Sequence, residues 1–141
     1  MSPKGNRLQI DEKSLRALAE NYTAAWCSQN AASVASFFSP QGSLAINGDA
    51  PAVGREAITA TAQSFMTAFP DLRVQMDNFV IREEDAVYHW TLTGTNTGPD
   101  GTENSIQISG FEVWKIGEDG LIAESQGQFD RDDYQRQLKA S

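Results

Sequence analysis

Past residue 70 the apolar residues change period, and that change constrains the fold more than any other feature of the chain. Before it they recur at helical spacing; after it, "DLRVQMDNFVIRE", "AVYHWTLTGTN", "TENSIQISGFEVWKI" and "LIAESQGQFD" are rich in β-formers. The intervening "REEDA", "GPDG" and "GEDG" read as turns, so the second half is expected to be an antiparallel meander. Three of these strands reach about a dozen residues, which at ~3.3 Å per residue gives each a span of ~40 Å. Strands of that length must twist and curl. A curled sheet preceded by helices with one apolar stripe each is expected to wrap around them and leave a concave, partly filled face as a pocket.

The helical half begins after residues 1–10, which read as a loose arm ahead of a single domain over 11–141. Leu15, Leu18, Ala19, Tyr22, Ala25 and Trp26 mark the inward stripe of a first helix, with Asp11 or Ser14 as its N-cap. "AASVASFF" reads as a shorter second helix stopped by Ser39-Pro40, because the residue before proline avoids helical angles. "GSLAIN" follows as a short strand and "GDAPAVG" as a loop. A third helix starts near Arg55, carries Ile58, Ala62, Phe65, Met66 and Phe69 on its apolar face, and ends at Pro70.

Charge and cysteine content narrow the function classes. Nineteen acidic residues against eleven basic ones give a net charge of −8, which disfavours nucleic acid and anionic membranes as partners. The lone Cys27 cannot form an intrachain disulfide and reads as a small packed thiol. No apolar run approaches the ~20 residues of a membrane span and the start lacks a secretory h-region, so the expected location is cytoplasmic. Walker, HExxH and GxSxG motifs and clustered Cys/His ligands are absent, and no metal or cofactor is expected.

"AFPDLRV", "AVYHWTLTGTNTG" and "ISGFEVWKIGEDGLIAESQGQFD" together resemble SnoaL-like polyketide cyclases, members of the nuclear transport factor 2-like superfamily. The similarity runs from about Leu15 to Leu138. It implies an α+β fold, a cone-shaped curved mixed sheet (a cystatin-like α+β barrel) wrapped around three N-terminal helices and usually paired as a homodimer through the sheet's outer face. It also implies cofactor-independent acid/base chemistry, an intramolecular aldol-type ring closure on a small apolar or aromatic carbonyl compound in a hydrophobic pocket. The superfamily also contains binding and interaction modules, isomerases, lyases and hydrolases, so a non-catalytic role for this fold stays open.

Counting from Gly120, Asp130 falls where the cyclases carry their acid/base aspartate. The same residue, three positions before Asp133, also reads as a helix N-cap. Tyr22 matches the helix-1 tyrosine that donates to substrate oxygen in the ketosteroid isomerase branch, or is an amphipathic core tyrosine. Glu112 lies where that branch carries a protonated aspartate; strand parity puts it on the face of Ile108 and Trp114, either inward or on the dimer surface. His89 is a structural histidine, or it faces the cavity and either shares a proton with Asp130 or orients a ligand. Trp26, Trp90 and Trp114 are core or cavity wall, and walls of that kind suit a flat ligand.

This chain also departs from its relatives. Ile46, with Asn47 adjacent, stands where the isomerase has its catalytic aspartate, which argues against that mechanism. The Asp-Arg-Asp set of the limonene-epoxide hydrolases is missing. Asn96 and Gln126 replace a histidine and a tryptophan common in the cyclase pattern.

Overall fold

The computed structural model describes residues 11–139; the expected arm at 1–10 lies outside the described residues. Asp11 opens the first helix, α1 (Glu12–Cys27), by accepting the Ser14 amide at 2.7 Å, which satisfies one of the otherwise unpaired first-turn donors. Its stripe from Leu15 to Trp26 is buried. Asn30 caps α2 (Ala31–Ala35) in the same way through the Ser33 amide.

The second helix is shorter than "AASVASFF" suggests, and Pro40 is not its stop. It ends at Ala35, and strand β1 (Phe38–Ile46) already contains Pro40. Proline is tolerated there because the pairing of β1 is irregular between Phe38 and Ser43, so its missing amide breaks no ladder bond. The loop expected at "GDAPAVG" holds a two-residue strand, β2 (Ala52–Val53). After Gly54, whose φ of 90° favours glycine, α3 (Arg55–Ala68) follows as its spacing predicts.

The meander is present: β3 (Arg73–Ile81), β4 (Ala86–Thr95), β5 (Ser105–Ile116) and β6 (Ile122–Phe129) pair antiparallel in sequence. Only β5 reaches twelve residues. The outer strands stop earlier because turn and bulge residues take part of each β-rich segment. β6 then pairs parallel with β1, giving a mixed six-stranded sheet in the order β2-β1-β6-β5-β4-β3. Irregular pairings in β1, β3 and at the end of β5 curve it, and its concave face receives α1 and α3. The result is an open α+β sheet around helices.

A fourth helix, α4 (Arg131–Lys139), closes one end. β6 stops opposite Gly110, which leaves Gln107 of β5 without a neighbour on that side. Gln137 of α4 fills the place of the missing strand: its side chain accepts the Gln107 amide at 2.7 Å and donates to the Gln107 carbonyl at 3.0 Å. Among the described residues no helix is long and apolar enough to cross a membrane.

Candidate active site

Between the helices and the concave sheet lies a partly open cavity. Its wall includes Trp26 of α1, Phe65 of α3, Leu44 and Ile46 of β1, Tyr88 and Trp90 of β4, and Glu112 of β5. Its volume is ≈ 60 Å³. One water needs ~15 Å³, so the space holds several waters or one small ligand, and a polycyclic ligand would require the wall to move.

Glu112 is the polar centre of this wall. Alternation along β5 turns Ile106, Ile108, Glu112 and Trp114 inward, which settles the parity question in favour of the cavity. Three donors converge on its Oε1: the Trp114 indole Nε1 at 2.8 Å, the Ser125 hydroxyl at 2.8 Å and the Tyr22 hydroxyl at 3.1 Å. Its Oε2 has one longer bond, from Tyr22 at 3.3 Å. Burial pushes the carboxyl above the usual carboxylate range, while the bonds from Trp114, Ser125 and Tyr22 pull it back. One oxygen is thus held by the protein and the other is nearly uncommitted.

The ring packing fixes these donors. Trp114 stacks on Tyr88 with centroids 4.9 Å apart, and Tyr22 meets both edge-on at 5.2 and 5.4 Å. Tyr22 and Trp114 are fully buried and absent from the cavity wall, and their polar atoms hold Glu112 in place. Burial, and then the nearby Glu112 carboxylate, raise the Tyr22 hydroxyl well above its ordinary value. Tyr88 lines the cavity, but its hydroxyl pairs with that of Thr23. The Thr23 proton goes to the Ala19 carbonyl at 2.9 Å, so Tyr88 is the donor to Thr23 and its own proton is committed.

Asp130 does not face the cavity. It is exposed, and its Oδ1 accepts the Asp133 amide at 3.0 Å while its carbonyl accepts the Tyr134 amide. It is the N-cap of α4, because β6 ends at Phe129 and the next residue must bridge extended and helical backbone. His89 is also turned away. The inward residues of β4 are Ala86, Tyr88, Trp90 and Leu92, so His89 projects from the opposite face, where its ring lies 6.0 Å from that of Phe111. The structure therefore brings Tyr22, Glu112 and Trp114 together, places Trp26 on the wall, and leaves Asp130 and His89 outside.

Ser125 is the contributor that the sequence reading passed over. A serine in "AESQGQ" reads as strand surface, and only its pairing with Trp114 across β5 and β6 reveals it as inward. Among the described residues, no group of three or more His, Cys, Asp or Glu is placed to hold a metal ion.

A curved sheet packed on helices, with a carboxyl group in a mostly apolar cavity, defines a class of cone-shaped α+β folds. Within it the chain belongs to the SnoaL-like domain family, whose model matches residues 19–125. Solved structures agree on the fold. TsrD from Streptomyces laurentii superposes with a TM-score of 0.79 at 22% identity, covering 94% of this chain and 99% of its own. A protein described as a putative SnoaL-like polyketide cyclase from Jannaschia also reaches 0.79, at 15% identity, covering 100% and 97%. A protein with a ketosteroid isomerase-like fold from Catenulispora acidiphila, solved with trimethylamine, reaches 0.76 at 14% identity, covering 86% and 91%. No curated protein matches the chain in sequence.

Proposed function

We infer that the protein is a cofactor-independent acid/base catalyst acting on a small, apolar carbonyl compound, with Glu112 as the proton-transferring group. The observation that carries this reading is the asymmetric carboxyl of a cavity-wall residue: Oε1 accepts from three donors, while Oε2 has a single longer bond, from Tyr22. A raised carboxyl is a stronger base than a free one, and the three donors stabilise it when it ionises. In the reaction, Oε2 takes a proton from a carbon beside a carbonyl and the C–H electron pair becomes the enolate. In a ring closure of the aldol type the enolate carbon then attacks a second carbonyl of the same molecule. The new alkoxide recovers the proton from Glu112, so no oxidant or metal enters the balance.

This reading replaces Asp130 by Glu112 as acid/base and retains the substrate class expected from the family resemblance. A homodimer through the outer sheet face belongs to the same proposal; the half-buried Val87, Phe111 and Val113 on that face support it.

The test uses proton exchange. Cyclic ketones and 1,3-dicarbonyl compounds are incubated in D₂O with the protein, and loss of the α-proton signal is followed by NMR. Wild type is expected to accelerate exchange of at least one compound, and Glu112→Gln to lower that rate by roughly 10²-fold or more. Equal rates in both proteins would sink the catalytic reading.

One observation favours a second reading, a ligand-binding module. Among the described residues of the cavity wall, Tyr88 is the only titratable group besides Glu112, and its proton is committed to Thr23. Compounds that bind, exchange no proton and are recovered unchanged would support it.

A further inference from the structure

Two buried donors in the described structure have no hydrogen-bond partner: the indole Nε1 of Trp90 and the amide Nδ2 of Asn47. Such groups are uncommon in folded proteins, since an unmade bond leaves the full desolvation penalty in place. Only Trp90 belongs to the cavity wall; Asn47 lies behind it, beside the end of β6. Trp90 lines the cavity, with its ring 6.1 Å from that of Phe129. Asn47 accepts the Phe129 amide at 2.9 Å through Oδ1 and donates its own amide to the Gly127 carbonyl at 2.8 Å; Ile46, Gly127 and Phe129 around it all line the cavity. The Asn47 side-chain orientation is fixed by its bond from Phe129, because only the oxygen can accept an amide. The free end is therefore the NH₂ group.

The placement of Trp90 relative to Glu112 gives its indole donor a use. On β4, Tyr88 stands opposite Glu112 and Trp90 opposite Gly110, so Trp90 is the next inward residue along the strand, ~7 Å away by strand geometry. Gly110 permits the ring to lie across β5: a Cβ there would fall 2.7 Å from Trp90 Cζ2. A small ligand spanning that interval meets a donor-only group at one end and a carboxyl at the other.

We propose that Trp90 Nε1 is the subsite for the ligand's acceptor oxygen, and that the ligand is an uncharged small-ring carbonyl compound. This deepens the catalytic reading and rests on it: with the carbonyl oxygen at Trp90, the carbon beside it is directed toward Glu112 Oε2. When that carbon loses its proton to Oε2, the electron pair moves onto the carbonyl oxygen, where the Trp90 N–H already donates. Among the described residues the wall carries no lysine, arginine or histidine, and its other polar side chains, Thr61 and Gln128, are uncharged, so an anionic ligand would lack a countercharge.

The probes are cyclohexanone and methylenecyclohexane, which share a shape and differ in C=O against C=CH₂. ¹H–¹⁵N correlation spectra of the labelled full-length protein report the three indole groups, and the Trp90 signal is assigned in wild type by side-chain correlation, independently of any variant's folding. Cyclohexanone is expected to move the Trp90 N–H downfield and methylenecyclohexane to leave it in place. The ketone is expected to bind roughly three- to tenfold more tightly, the worth of one hydrogen bond. That preference disappears in Trp90→Phe and persists in Glu112→Gln. Absence of a ketone-specific shift, with or without binding of either probe, overturns the subsite. A preference lost in Glu112→Gln but kept in Trp90→Phe also overturns it, and leaves Glu112 as the carbonyl anchor. Persistence in Glu112→Gln together with unchanged proton exchange keeps the subsite and removes the catalytic reading.

Discussion

Trp114 and Glu112 stand two residues apart on the inward face of β5, and the indole of the one donates to the carboxyl of the other across 2.8 Å. The pair binds a polar group to the centre of the aromatic core, so the charge state of Glu112 depends on the packing around it. Removing one of the other donors tests this. Ser125→Ala removes a bond that favours the charged form, so the Glu112 carboxyl is expected to titrate higher still. Carboxyl ¹³C NMR reads the change directly, and the loss of the bond is expected to lower stability by about 1 kcal/mol. A titration that stays in place or moves down would show that Ser125 does not stabilise the carboxylate.

The same carboxyl should make folding depend on pH in an unusual direction. Its folded-state value lies above the 4.5 of a free glutamate, because burial penalises the charge. The folded protein therefore holds this proton more tightly than the unfolded chain does. The stabilisation is complete below the unfolded value and is lost as pH rises through the folded one. Asp11, Asp71, Asp85 and Asp119 are lowered and act oppositely, losing stability as pH falls below their ordinary range. Comparing Glu112→Gln with wild type cancels those four. In urea unfolding the variant is expected to gain relative to wild type as pH rises from about 4.5, the reference value for a free glutamate. A difference that is flat with pH would show that burial does not raise the Glu112 carboxyl.

Asp130 is expected to behave as a cap. Asp130→Asn keeps an oxygen for the Asp133 amide, so stability and any proton exchange should both stay close to wild type. Asp130→Ala removes the acceptor and is expected to destabilise by about 1 kcal/mol, again without loss of exchange. Exchange abolished by Asp130→Asn at unchanged melting temperature would return this residue to the chemistry.

Local period carried most of the fold into the sequence. The stripe from Leu15 to Trp26, the apolar face of α3 and the alternation of Ile108, Glu112 and Trp114 each depend on near neighbours, and each is read correctly along the chain. What depends on distant partners is harder to read. The parallel pairing of β1 with β6 joins residues some eighty positions apart and leaves no local trace. Strand β4 is ambiguous for another reason: "AVYHWTL" carries bulky residues on both faces, so parity alone does not say whether Tyr88 or His89 turns inward. At Asp130 a single residue type suits both a helix cap and a general base, and only its exposure and its bond to Asp133 separate them.

Gly110 is the position where the backbone itself shapes the cavity. A Cβ there would lie 2.2 Å from the Gln128 carbonyl oxygen and 2.7 Å from the Trp90 ring. The carbonyl belongs to β6, hydrogen-bonded on both sides, and cannot retreat without disturbing its pairing with β5 and β1. Gly110→Ala is therefore expected to destabilise by about 1–3 kcal/mol, the usual range for overpacking a filled site. It should also shift the Trp90 indole signal, because the ring loses the gap it lies across, while the Trp26 signal from the far wall stays in place. Near-wild-type stability with an unmoved Trp90 signal would mean that the strands separate more easily than the close contact between β5 and β6 implies.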